Sequence, residues 1–345
     1  MSRVDALRDR LDERLLVTNL VNIRYLVGFD ASNAALLVDP GGPTRLYTDF
    51  RYIATAEAVP GVEAVQAKRF LLADLAERLH GRLGFEADAL PYSQAETLRA
   101  GGLELVPRSG IVEALRAVKD EDEIERIRRA ALAADRAFEA LTAETWIGRS
   151  ERELAWRLRQ LLHAHGVDHP AFDIAMAAGP NGAKPHVEPG DDIVPENTLV
   201  VADWGARLDG YCSDCTRTVA TGDPPKELRR AFDVCLEAQL AAVEGIRPGM
   251  SGHDADLIAR QIITKAGFGE EFGHGLGHGV GVAVHEAPRL AAESKDVLEP
   301  GHVVTIEPGI YLAGVGGVRI EDLAVVRDDG VELLTAFPKE FAFVR

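Results

Sequence analysis

The sequence predicts two domains: an α/β domain over residues 1–112 and a larger domain over residues 113–345, built from two repeated halves. Three observations carry this expectation. Short apolar runs alternate with helical periodicity through the first hundred residues. The texture changes near Ile111, where one long charged helical stretch begins. Beyond it, a capped helix followed by an apolar strand ending in a carboxylate occurs twice.

In the first domain, Val4–Leu11 reads as a helix, and Leu15–Thr18 and Ala34–Val38 are short apolar runs. The Gly41-Gly42-Pro43 turn leads into a strand at Thr44–Thr48. Phe70–His80 has helical periodicity, and Leu83–Phe85 and Leu103–Val106 read as strands. These elements make an α/β domain of ordinary size, with no glycine-rich phosphate loop and no catalytic constellation.

Ala114–Ala134 reads as one helix, whose charge run Lys119–Glu123 suits a solvated face. Ser150 and Ser251 open capping patterns, and the helices they start close near Gly166 and Gly267, at equal length. Leu199–Asp203 and Val303–Glu307 are apolar strands that end in an acid. Each is followed by a turn and a returning strand with a second acid, Asp214 or Glu321. An acid placed twice at one structural point predicts a pseudo-symmetric site between the halves.

Composition narrows the function. The 55 acidic residues against 38 basic ones give a net charge of -17, which argues against nucleic acid or an anionic membrane as partner. The amphipathic N-terminus lacks the apolar stretch of a signal peptide, and no run is long enough to span a membrane. With three cysteines, this predicts a cytoplasmic protein. In an extended strand Cys212 and Cys215 point to opposite faces, so their CxxC spacing reads as coincidence. Cys212 shares a face with Asp214.

The site residues are placed by the strands. The turn Arg207–Gly210 lets Asp214, in a strand Tyr211–Val219, return beside Asp203. Glu307 precedes Pro308, which biases it to extended backbone. Arg319 and Glu321 share a strand face, where Arg319 either pairs with Glu321 or holds an anionic substrate group. Between Phe272 and Glu286 glycine alternates from Gly273 to Gly281 around His274 and His278, with His285 beyond. Each glycine costs a helix about 1 kcal/mol relative to alanine, so the two histidines are not a helical zinc pair. Alternating glycines suit a strand that another backbone approaches closely. One imidazole and four carboxylates form a mainly hard ligand set, suited to manganese, cobalt or iron as well as zinc. No GxSxG nucleophile motif competes.

These segments resemble the pita-bread metallopeptidases. Asp203-Trp204-Gly205-Ala206, Gly210–Thr218, His274 to Glu286, Glu307-Pro308-Gly309 and Gly317–Asp322 carry the likeness, in the order Asp, Asp, His, Glu, Glu. Asn22–Phe29 and Thr48–Tyr52 are similar to the N-terminal domain of prolidases and aminopeptidases P. The resemblance implies an α/β creatinase-like N-terminal domain and an α+β pita-bread catalytic domain with an internal pseudo-two-fold repeat.

The same resemblance implies a ligand set and roles. Two divalent metal ions, manganese first and Co2+, Zn2+ or Fe2+ as alternatives, would be held by Asp203, Asp214, His278, Glu307 and Glu321. Asp214 and Glu321 would bridge them, and Glu307 would also shuttle a proton. His186 and His285 would stabilise the tetrahedral intermediate at the scissile carbonyl, and His274 and Arg319 would line a proline pocket. The expected activity is hydrolysis of Xaa-Pro bonds by a metal-bridging hydroxide. A dipeptidase is preferred over an aminopeptidase P, with small proline-containing peptides as partners and a homodimer as the assembly. A non-catalytic binding relative and a metal-free hydrolase on the same fold are the competing readings, and the intact ligand set argues against both.

Overall fold

Residues 15–17, 34–38, 45–48, 63–66, 81–86 and 103–108 form one six-stranded sheet in the N-terminal part of the chain. Our computed structural model describes residues 2–345 and divides into two units, Met1–Arg116 and Ala117–Arg345. The sheet of the first unit is mixed. Its strand at 15–17 pairs antiparallel with 34–38 and parallel with 81–86. The helices Leu71–Arg78 and Tyr92–Ala100 contribute Leu71, Leu75 and Leu98 to the core beside Leu16, Leu37 and Leu83. A further helix, Leu20–Val27, is capped by Asn19 and closed by Gly28 at φ 69°. Periodicity alone missed it because Asn22 interrupts its apolar face. Asn22 is buried and bonds Glu86, Glu113 and Arg116 instead.

The expected single helix over Ala114–Ala134 is broken. A short helix, Glu113–Ala117, is followed by Glu121–Thr142. Between them the chain turns aside so that Lys119 N–H can bond the Gly301 carbonyl, and Asp120 caps the second helix in a reciprocal box with Glu123. Nor is the charge run a solvated face throughout. Lys119 and Glu123 are buried, the latter accepting the Tyr211 hydroxyl at 2.7 Å. Buried charges persist only when such partners compensate them.

The repeat is built as the sequence predicts. Helices Glu121–Thr142 and Glu151–Ala164 precede strands 175–178, 199–204 and 215–220; helices Lys226–Gly245 and Gly252–Lys265 precede 277–279, 303–306 and 322–327. In both halves the middle strand lies centrally, antiparallel to its two partners. The detail repeats as well: Gly148 N–H bonds Val194 O, and Gly249 N–H bonds Leu298 O. Ser150 and Ser251 cap equal 14-residue helices, which end before Gly166 and Gly267 at φ 83° and 87°. Each half packs its helices against its own strands, Phe138, Trp204 and Val200 in one and Phe232, Val304 and Ala324 in the other. The inner strand ends of the two halves converge, and this positions the site. Among the described residues no helix is long and apolar enough to cross a membrane.

Candidate metal centre

Asp203 ends an apolar strand, Leu199–Trp204, opposite Thr216 of the returning strand. That return is not one strand over Tyr211–Val219. Tyr211–Cys212 pairs with Ala206–Leu208, and pairing resumes at Cys215 with Trp204. Ser213 fills the break by accepting Ala206 N–H on its hydroxyl. Asp214 therefore sits in an interruption of the sheet, where its side chain is free of strand register. In the second half Glu321 occupies the equivalent break between strands Gly316–Arg319 and Asp322–Arg327.

Two threonines join these elements. Thr216 accepts Glu321 N–H on its carbonyl at 3.1 Å and donates its hydroxyl to Glu321 Oε2 at 2.7 Å. Thr305 donates its hydroxyl to Glu307 Oε1 at 3.1 Å and accepts His278 N–H at 3.0 Å. Oxygens of Asp203, Asp214 and Glu321 lie within 4.8 Å of one another. His278 Nε2 is 3.7 Å from Asp214 Oδ2 and 3.4 Å from Glu307 Oε1. The His278 Nδ1 faces the Gly279 carbonyl at 3.1 Å, which assigns the proton to Nδ1 and leaves the Nε2 lone pair directed at the carboxylates. All five side chains thus converge.

The electrostatics of the protein alone oppose this convergence. Burial, then the charges of Glu321, Asp203 and Glu307, push the Asp214 carboxyl well above its usual range. Burial and the Glu307 and Asp203 charges do the same to Glu321, and burial raises Glu307. Burial lowers His278, favouring the neutral imidazole that a metal requires. Asp203 Oδ1 is buried with no hydrogen-bond partner. An orphaned carboxylate oxygen facing three acids and a neutral imidazole is costly in a bare protein and suited to divalent cations. The residues fit such ions.

Arg319 is not paired with Glu321. Its Nη2 donates to Asp203 Oδ2 at 2.7 Å, its Nε to Thr216 Oγ1 at 3.0 Å and its Nη1 to Tyr311 Oη at 2.9 Å. Two apart on one face, Arg319 and Glu321 diverge because the strand ends at Arg319. Burial opposes the guanidinium charge, but Tyr311, Asp203, Glu307 and Glu321 outweigh it and raise its pKa. His274 is half-buried, with Nε2 2.9 Å from Tyr311 Oη. His285 is exposed, its ring centroid 4.4 Å from that of His278. His186 lies on an exposed loop after the Gly179–Ala183 turn; burial, then the charges of His278 and His186, lowers the pKa of His285. Cys212 and Cys215 are buried apart, Cys212 Sγ facing Val282 O and Cys215 Sγ facing Glu321 O.

The profile of Metallopeptidase family M24 matches residues 125–328, a span that holds all five converging side chains. The chain belongs to this family. A Creatinase/Prolidase N-terminal domain matches residues 3–118. An Xaa-Pro dipeptidase of Pyrococcus furiosus is 36% identical over 332 residues, covering 95% of this chain and 94% of that one. The structure of an Xaa-Pro dipeptidase from Bacillus anthracis superposes with a TM-score of 0.95 at 38% identity, covering 99% of each chain. That of an X-Pro aminopeptidase from Thermotoga maritima superposes with a TM-score of 0.88 at 32% identity, covering 98% of this chain and 99% of that one. As an M24 chain it is a metallopeptidase with the pita-bread catalytic fold.

Sequence reasoning passed over Thr216, Thr305 and Tyr311 in this M24 site. One of them leaves a local signal. Thr305 stands two residues before Glu307, the spacing that puts its hydroxyl on the carboxylate's face, whereas Thr216 bonds an acid 105 residues away, which no local spacing announces.

Proposed function

We propose that this M24 chain hydrolyses the bond between a residue and a following proline, with the Xaa-Pro dipeptide as its preferred substrate. The convergence of Asp203, Asp214, His278, Glu307 and Glu321 carries the reading, in a chain 36–38% identical to Xaa-Pro dipeptidases over nearly its full length. His278 and Glu307 would hold one divalent ion and Asp203 the other, with Asp214 and Glu321 shared. The ligand chemistry favours manganese, with cobalt, zinc or iron as alternatives. When bound, the ions supply Lewis acidity toward the scissile carbonyl and activate a water molecule.

The chain's own groups do the rest. Glu307, with Oε1 fixed by Thr305 and its pKa raised, accepts a proton from the attacking water and returns it to the leaving nitrogen. His285 and His186, on the open side of the centre, donate hydrogen bonds to the oxygen that gains charge. His274 and Tyr311 form a wall of the substrate pocket. Arg319, engaged by Asp203, Thr216 and Tyr311, serves by fixing Asp203.

The likeness to an X-Pro aminopeptidase keeps a second reading, removal of an N-terminal residue from longer Xaa-Pro peptides. The test is hydrolysis of Leu-Pro and of a Leu-Pro-Yaa tripeptide by metal-stripped protein, with and without manganese. Manganese-dependent cleavage of the dipeptide alone establishes a dipeptidase. Cleavage of the tripeptide makes it an aminopeptidase, and cleavage of neither with any divalent metal overturns both. A homodimer and a cytoplasmic location belong to the same proposal; light scattering and cell fractionation test them.

A further inference from the structure

The strands matched between the two halves end at Arg327, and one further strand, Gly330–Leu333, pairs with the last of them. The C-terminal segment beyond Leu333 has no counterpart in the first half, yet it is bound to both halves. Phe337 packs its ring edge-on against the stacked pair of Phe138, at 4.9 Å, and Trp204, at 6.4 Å, in the first half. Asp135, from the first half, accepts the N–H groups of Ala336 and Phe337. Two residues on, Lys339 reaches the second half. Its ammonium donates to Asp322 Oδ2 and, at 3.1 Å, to Gln239 Oε1.

This segment ends on groups that build the metal centre. Asp322 is 1% exposed and accepts from Arg217 Nη2 at 2.8 Å, Gln239 Nε2 at 2.8 Å and Thr335 Oγ1 at 3.0 Å. Arg217 is 2% exposed, and its Nε donates to the Phe337 and Pro338 carbonyls at 3.1 and 3.0 Å. Its Nη1 donates to the carbonyls of Glu321 and, at 3.0 Å, of Thr216. Thr216 in turn holds Glu321 Oε2. One guanidinium therefore fastens the C-terminal segment on one side and the backbone of a ligand and its threonine on the other. Two cations share one buried carboxylate, and loss of either leaves that charge less well compensated.

We propose that Thr335–Lys339 is a positioning element of the metal centre, acting through Asp322 and Arg217 on Thr216 and Glu321. The proposal rests on the reading of the five converging side chains as metal ligands. A segment that only closed the fold would add stability and leave metal affinity alone; a positioning element governs both.

The test is manganese affinity by isothermal titration of the full-length chain, with the melting temperature of the metal-free protein measured alongside. Lys339→Met is expected to weaken manganese binding about ten-fold or more, within the range usual for partners that orient metal ligands. Lys339→Arg is expected to restore most of the loss. Thr335→Val removes the hydroxyl that donates to Asp322 and accepts the Leu323 N–H, and provides a second test that leaves Lys339 in place, with affinity down several-fold. Unchanged manganese affinity in both Lys339→Met and Thr335→Val, whatever the melting temperature, overturns the proposal. If the wild-type chain binds no divalent ion, the metal reading itself fails and this inference falls with it.

Discussion

Thr216 binds Glu321 twice, by its backbone carbonyl at 3.1 Å and its hydroxyl at 2.7 Å, and in the same strand register stands opposite Asp203. One small side chain thus links an acid of each half. Its hydroxyl also accepts from Arg319 Nε, and the arginine holds Asp203 from the other side.

Thr216→Val is isosteric but removes the hydroxyl. Glu321 Oε2 loses its donor and Arg319 Nε its acceptor, both buried. Metal affinity is expected to fall roughly 10- to 100-fold, with activity following. Metal titration and kcat/KM measured at saturating manganese separate lost occupancy from lost turnover. Wild-type affinity in Thr216→Val would show that the hydroxyl does not orient Glu321.

Gly277 is needed for a different reason. A Cβ there would lie 2.1 Å from the Thr305 carbonyl oxygen, on the strand that carries Glu307. Gly277→Ala must push these backbones apart, at about 1–3 kcal/mol or more, and His278 moves with it. The expected result is a melting temperature several degrees lower, with weaker metal binding. A stable variant with native affinity would mean that the strands separate freely.

Metal binding should release protons. Burial and neighbouring carboxylates raise Asp214 and Glu321, so in the metal-free protein these carboxyls keep protons to higher pH than ordinary ones, and ligation competes with those protons. Manganese titrated into weakly buffered, metal-stripped protein is expected to acidify the solution, and apparent affinity to weaken as pH falls. For the metal-free chain, carboxyls raised on folding hold more protons folded than unfolded. Their contribution to stability is therefore lost as pH rises. Chelation should accordingly lower the melting temperature more as pH rises above the ordinary carboxylate range. Metal binding without proton release would contradict the raised carboxyls.

His302 has the opposite sign. Burial, then the Lys119 charge, pushes it down to about 4, and its Nδ1 accepts Glu299 N–H at 3.1 Å, a bond that requires that nitrogen unprotonated. Glu299 and Asp296 pull weakly the other way. Above the unfolded value of about 6.5 both states are neutral and the contribution is complete. Below it the unfolded chain takes up a proton that the folded chain refuses. Stability then falls toward pH 4, by about 1.4 kcal/mol per pH unit at most. Denaturant unfolding of metal-loaded protein should show this slope, and His302→Asn, which keeps an acceptor, should flatten it. Equal slopes in both would assign the dependence to other groups.

Much of the architecture is legible in the chain because its signals are local. Ser150 and Ser251 announce their helices, Gly166 and Gly267 end them, and Asp203 and Glu307 stand where apolar strands stop. The alternating glycines before His278 exclude a helix by backbone entropy alone. What the sequence by itself determined was therefore the two-part organisation, the repeat and the residue types able to meet in one place. Tertiary structure decided what depends on a partner distant in the chain. Lys119 breaks the charged helix because Gly301 offers a carbonyl, and Arg319 turns from Glu321 to Asp203 because the strand ends beneath it. Thr216, Thr305 and Lys339 acquire their roles from groups 105, 27 and 17 residues away. Periodicity records which face a residue occupies; only the folded chain brings the opposing face to it.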